Sequence, residues 1–371
     1  MRLALRSSDS PLARGCALAL VAFALAACGS AAPGGATHVV GTSQASVTLV
    51  AASPLDYAAR SCRVDGVALA LHALTPAPDA ALELRVLQSP TARRDERCRH
   101  RFGGDDLLHT PLAGLGIEPL GAVNGWFFSR LPDGSSRSNG FLWSQLAAGP
   151  RVLAPLASTE DPDMHGDRLV VADARGLHEL RLASGPCAQG ECRARVLASV
   201  SDPAVAAHAA ELAVPLDDAA LAALVTELFP TATMAMQLVA ALPDAPVTAE
   251  TPAQERVAAA WRCPTDHSAP DGWKCERQAV SVLCGAVDGR VSLLSVEPAR
   301  YWEIVAGLRA GGPCATECAQ LYVLDGGYSP QLATHDADGW DMRWGFFEES
   351  APAEGCPQYR PVEHWLVLGR R

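Results

Sequence analysis

The chain has 371 residues, of which 49% are hydrophobic and 19% charged, with a formal net charge of -11. That apolar content excludes a disordered chain and suffices for a packed core. The acidic balance argues against nucleic-acid binding and against a polybasic membrane patch.

Residues 1–27 read as an export signal: Arg2, Arg6 and Arg14 precede an apolar run from Ala17 to Ala27, too short to remain as a membrane span. Leu25-Ala26-Ala27-Cys28 is similar to a bacterial lipobox, which makes Cys28 the lipid-modified first residue of the mature chain and the membrane its partner through that lipid. Gly29 after the cysteine points to outer-membrane sorting by resemblance to lipoproteins. Residues 28–46 form a small-residue tether, and 47–371 are expected to fold as one domain. After Cys28 no run is long and apolar enough to cross a bilayer.

The chain has twelve cysteines, and setting aside Cys16 and Cys28 leaves ten, an even number that in an exported protein implies disulfides. Cys187–Cys192, Cys263–Cys275 and Cys62–Cys98 are the plausible local pairs, while Cys314 and Cys318 pair either with each other or elsewhere. No histidine spacing supports a zinc site, so no metal or cofactor is expected.

Alternation at Leu82, Leu84 and Val86 predicts a half-buried strand, and the apolar stretch from Ile117 to Leu131 stops at the turn Pro132-Asp133-Gly134. Arg168 to Ala172 and Leu177 to Leu182 read as a hairpin around Asp173-Ala174-Arg175-Gly176. Asp217 or Asp218 can cap a helix through Leu228, with Leu221, Leu224, Val225 and Leu228 on one face. Pro298 to Leu308 reads as a second helix, with Pro298 in its first turn. The last strand covers His364 to Leu368. No repeat of propeller length occurs. The expected fold class is α+β, a single strand-rich, disulfide-bonded domain with a few packed helices.

One short stretch is chemically suggestive. Leu321 to Leu324 is an apolar strand running into Asp325-Gly326-Gly327-Tyr328-Ser329, where two glycines let the backbone turn and leave room beside a carboxylate. By itself such a stretch is most often only a turn. In chain order, four segments resemble the phosphodiester glycosidase family: Gly121-Ala122-Val123-Asn124-Gly125-Trp126-Phe127-Phe128; Ser138-Asn139-Gly140-Phe141-Leu142; Arg277-Gln278-Ala279-Val280-Ser281-Val282 followed by Asp288-Gly289 and a hydrophobic strand; and Leu324-Asp325-Gly326-Gly327-Tyr328-Ser329. Trp126, Gln278 and Ser281 depart from the family's Gly, Thr and Gly.

The resemblance implies a hydrolase acting on a sugar-phosphate diester or related glycan at the cell envelope. Such cleavage needs the phosphate charge balanced, the leaving oxygen protonated or oriented, and a base or nucleophile near the anomeric carbon. Arg277 suits the phosphate, because its planar fork binds two oxygens. Asp325 is the carboxylate for acid–base work. Asn124 and Ser329 would hydrogen-bond the substrate, and Gly326 and Gly327 admit it. Glu297, Asp336 and Asp338 are unranked choices for a second carboxylate. The rival expectation is a non-catalytic glycan-binding or structural lipoprotein on the same fold.

Overall fold

The computed structural model describes residues 53–88, 112–125, 128–130, 136–138, 140–159, 166–184, 192–199, 215–240, 277–309, 311–314, 316, 318–327, 329–345 and 364–371. The export signal, Cys28, the tether, Trp126, Pro132-Asp133-Gly134, Cys98 and the Cys263–Cys275 pair lie outside these residues.

β1 (Leu55–Val64) and β2 (Val67–Pro76) form a hairpin, followed by β3 (Glu83–Gln88). Asp65 and Gly66 close that hairpin at φ 48° and 82°, the left-handed pair whose twist matches the flanking strands. After a 3-10 turn at Leu112–Leu115 come β4 (Glu118–Asn124), β5 (Phe128–Arg130), β6 (Ser136–Ser138), β7 (Leu142–Leu146) and β8 (Gly149–Ala154). Next are β9 (Arg168–Asp173), β10 (Gly176–Ser184), β11 (Ala194–Ser199), helix α1 (Asp218–Leu228) and β12 (Met234–Ala240). The last third holds β13 (Gln278–Gly285), β14 (Val291–Ala299), helix α2 (Tyr301–Leu308) and β15 (Gln320–Gly327). It closes with β16 (Gln331–Asp336), β17 (Gly339–Gly345) and β18 (His364–Arg370).

These strands build an eleven-stranded sheet along the path β1-β2-β14-β13-β15-β12-β9-β10-β11, with β7 and β8 joining beside β12, and a five-stranded sheet β17-β16-β4-β18-β3. β5 and β6 pair as a separate ribbon. Every pairing between named strands is antiparallel. The α+β expectation is therefore corrected: the protein is mostly β, with two α-helices among the described residues. Antiparallel strands connect through tight hairpins and need no crossover helices, so sheet packs directly on sheet. Leu74, Leu283, Leu293 and Leu324 of the large sheet meet Val123, Leu332, Leu366 and Leu368 of the small one.

Each helix covers an outer face of the large sheet. α1 is capped by Asp217, whose carboxylate accepts from the Ala220 amide at 2.9 Å, and it buries Leu221, Leu224 and Val225 against Leu169, Leu180 and Ala235. α2 buries Ile304, Val305 and Leu308 against Leu69, Leu71 and Val280. It starts three residues later than the sequence suggested. Pro298 belongs to β14, where the β13–β14 register shifts between Gln278 and Val280. A proline without an N–H fits such an irregularity, and Glu303 supplies the helix start instead by accepting from the Arg300 amide at 3.0 Å.

The hairpin of β9 and β10 follows its sequence signal, with Gly176 at φ 123°. Asp173 holds the turn by accepting from the Arg175 amide at 2.7 Å and from His178 Nε2 at 2.8 Å. Two disulfides are described in full. Cys62 pairs with Cys314 rather than with Cys98, and Cys284 pairs with Cys318, so Cys314 and Cys318 do not bond to each other. The correction follows from packing, since α2 lies on β1 and β2 and delivers the loop after it to Cys62. Cys192 is also disulfide-bonded.

Candidate functional site

β4 of the small sheet and β15 of the large one both end in a turn-forming polar sequence, and they end beside each other. Asn124 is fully buried and Asp325 is 4% exposed. The Asn124 amide Nδ2 donates to Asp325 Oδ2 at 3.4 Å, while Asp325 Oδ1 accepts the Gly326 amide at 2.7 Å. Asn124 Oδ1 in turn accepts from the Ser281 hydroxyl and from the Gln331 amide, the latter at 3.0 Å. Two donors on one oxygen fix which way the amide points, so its N–H is aimed at the carboxylate by the fold.

The family resemblance treats Ser281 as a departure from glycine, yet its hydroxyl is the donor that orients Asn124. Tyr301 stands at the first turn of α2, its hydroxyl 3.6 Å from where a side chain on Gly326 would begin. Burial raises its pKa well above the ordinary phenol value, and the nearby charge of Asp325 adds to this. The phenol is therefore held in its neutral form. Ser281 and Gln331 escape sequence reasoning because nothing local marks them as site residues, whereas Tyr301, at the start of a helix before Asp-Gly-Gly, carries the one signal that could have been read.

His364 is the fourth residue the sequence did not single out. It opens β18 beside Asn124, and its carbonyl accepts the Gly125 amide at 2.8 Å. The residue is 1% exposed, and burial lowers its pKa to about 4. A Cβ on Gly125 would collide with His364 Cδ2 and lie 2.7 Å from Nε2. The close approach, rather than backbone dihedrals, requires the glycine. Gly125→Ala is expected to cost about 1–3 kcal/mol by overpacking, read as a lowered denaturation midpoint.

Arg277 does not join this cluster. Its guanidinium meets Glu303 at 3.0 Å and donates to the carbonyls of Pro298 at 3.1 Å and Ala68 at 3.5 Å. Glu303 is a buried carboxylate at 1% exposure, and this pair gives it its countercharge. Arg277 nevertheless sits at the same sheet end, two residues before Ala279, which pairs with Gly327. Ser329 is buried and tied in through its carbonyl, which accepts from Gln331 Nε2 at 3.3 Å. Gly326 is open enough that a Cβ would meet only Ala279 O at 3.4 Å, Tyr301 and Gln278.

None of the three carboxylates suggested as a second acid contacts Asp325 in any described hydrogen bond or ion pair. Glu297 meets His72 Nε2 at 3.3 Å, Asp336 accepts the Asp338 amide at 2.9 Å in the β16–β17 turn, and both aspartates are exposed. No group of three or more metal-binding side chains occurs among the described residues. No helix among them is long and apolar enough to cross a membrane.

No family model and no curated protein matches the chain. Among solved structures, it is similar to the zebrafish N-acetylglucosamine-1-phosphodiester alpha-N-acetylglucosaminidase catalytic domain, which is auto-inhibited by its pro-peptide. That match has 10% identity and a TM-score of 0.46 over 87% of this chain and 85% of that one. A hypothetical protein from Synechocystis matches at 11% identity and a TM-score of 0.29, over 86% of this chain and 62% of that one. Both are distant likenesses.

Proposed function

We propose that the chain is a lipid-anchored envelope hydrolase of the glycosidase type, acting on a sugar-phosphate diester or related glycan, with Asp325 as its reacting carboxylate. The supporting observation is the Asn124–Asp325 contact between the two sheets, held by Ser281 and Gln331. Asp325 is positioned to take a proton or attack an anomeric carbon, and Asn124 keeps its oxygen in place. Tyr301, held neutral by burial, would donate a hydrogen bond to a substrate oxygen beside Gly326. Arg277, its side chain 41% exposed, would meet a substrate phosphate with its outward N–H groups while keeping Glu303 as its partner. Cys28 would carry the lipid at the outer membrane, and no nucleic acid is involved.

A binding lipoprotein is the second reading, favoured by one observation. Arg277 is committed to Glu303 and Asp325 is nearly enclosed, an arrangement that also suits a satisfied structural network.

The test is hydrolysis of a panel of sugar-1-phosphodiesters by the purified chain, beside Asp325→Asn and Arg277→Ala. Asp325→Asn is expected to lose at least about a hundredfold in kcat while staying folded. Arg277→Ala should raise KM for phosphodiesters alone. Saturable glycan binding without turnover would favour the second reading, and turnover unchanged in Asp325→Asn would sink the assignment.

A further inference from the structure

Next to the leucine layer between the sheets, the large sheet carries a row of polar side chains on the same face. His72 of β2 pairs with Ser295 of β14, and Ser295 pairs with Ser281 of β13. Residues directly opposite in an antiparallel ladder point to one face. Ser281 reaches Asn124 of the small sheet, and His72 stacks on Trp344 of β17 with ring centroids 5.5 Å apart. The whole row therefore faces the small sheet, and its inner end is the Asn124–Asp325 cluster.

The middle of the row is unexplained by packing. Ser295 is completely buried, and its hydroxyl meets no hydrogen-bond partner among the described residues. A buried hydroxyl left so is costly, and alanine would serve a purely structural role better. The outer end has the composition of a sugar site: half-buried aromatic rings with a few aimed polar groups. Tyr57 stacks on His72 and donates to or accepts from its Nδ1 at 2.9 Å. Glu297, its side chain 46% exposed, meets the other ring nitrogen at 3.3 Å. Arg343 lies 5.3 Å over the Tyr57 ring.

We propose that this seam is a saccharide subsite of the same site, in which Tyr57 and Trp344 form the apolar wall for a sugar ring, Glu297 accepts its outer hydroxyls, and Ser295 bonds an inner one. His72, its side chain 13% exposed, neighbours Ser295 on this face, so a sugar meets the inner hydroxyl only once the His72 side chain moves aside. The row to Ser281 then sets the next sugar atom toward Asp325, so the subsite deepens the glycan reading and rests on it.

Calorimetric titration of the purified chain with the methyl α-glycosides of glucose, galactose and N-acetylglucosamine tests this, beside Ser295→Ala and Glu297→Gln. Ser295→Ala removes an unsatisfied hydroxyl, so it should raise the melting temperature of the free protein by about 2 °C. The same change should weaken the best glycoside at least about fivefold, and Glu297→Gln should weaken it similarly. This split, more stable yet weaker in binding, is not produced by a structural role. Equal affinity in wild type and both variants, or binding of none of the three glycosides, would overturn the subsite. The catalytic reading fails separately: absent turnover with Ser295-dependent binding leaves the subsite standing, and turnover with Ser295-independent binding removes the subsite alone.

Discussion

Replacing Cys62 and Cys314 together with alanine is expected to lower the unfolding free energy by about 5 kcal/mol. The bond closes a loop with a sequence separation of 252 residues, and the stabilisation comes mainly from denying the unfolded chain that freedom. The second bond, Cys284–Cys318, overlaps the loop and shortens it by only roughly a tenth, which changes a logarithmic term little. Geometry adds to the effect. Among the described residues β1 is an edge strand paired only with β2, and the bond fastens it to the chain leaving α2. Removing Cys284 and Cys318 instead, with a separation of 34 residues, should cost about 4 kcal/mol on the same account. Denaturant midpoints of the two double variants under non-reducing conditions check the ordering. A loss below about 1 kcal/mol for the longer loop would show that the unfolded-state account is wrong here.

Acid should weaken the fold well above the carboxylate range, because His364 is buried in its neutral form. Its pKa drops from 6.5 to about 4 through burial. Above pH 6.5 it is neutral in both folded and unfolded chains, and its contribution is fully present. Between pH 6.5 and 4 the unfolded chain takes up a proton that the folded one refuses, so stability falls as pH falls. Below about 4 both states are charged and the loss levels off. Across that window the loss is about 3 kcal/mol, at roughly 1.4 kcal/mol for each pH step of one. Urea midpoints at about pH 7.5 and about pH 4.5 should differ accordingly in the wild type, and the difference should shrink in His364→Phe. The same slope in both proteins would assign the acid sensitivity to other groups. The expected consequence for the site is local, since β18 supports Gly125 beside Asn124.

Several elements were legible because their causes are local. Asp217 caps α1, and Leu221, Leu224 and Val225 lie on one face at helical spacing. The two-residue turn between β9 and β10 depends on Asp173 and Gly176, which are close in the chain. The strand running into Asp325-Gly326-Gly327 was visible for the same reason, and so was the strand ending at Asn124. The fold class was misjudged because two capped helices are conspicuous in a sequence, whereas β-pairing partners are not.

The site divides along the same line. Asp325 and Asn124 could be named from the segments around them, but their contact spans 201 positions and depends on two sheets packing face to face. Arg277 was named from the same kind of evidence, and tertiary packing gave it Glu303 as a partner. Ser281 read as a departure, and only the register of β13 turns its hydroxyl toward Asn124. Cys62 had Cys98 as its nearer neighbour in sequence, yet α2 carries Cys314 to it. By itself, then, the sequence determined the segments with their caps, turns and alternation, since these are set by dihedral preference and hydrogen bonds within a few residues. The tertiary structure alone decided sheet order, disulfide partners and which polar groups meet at Asp325, because those follow from burying two apolar sheet faces against each other.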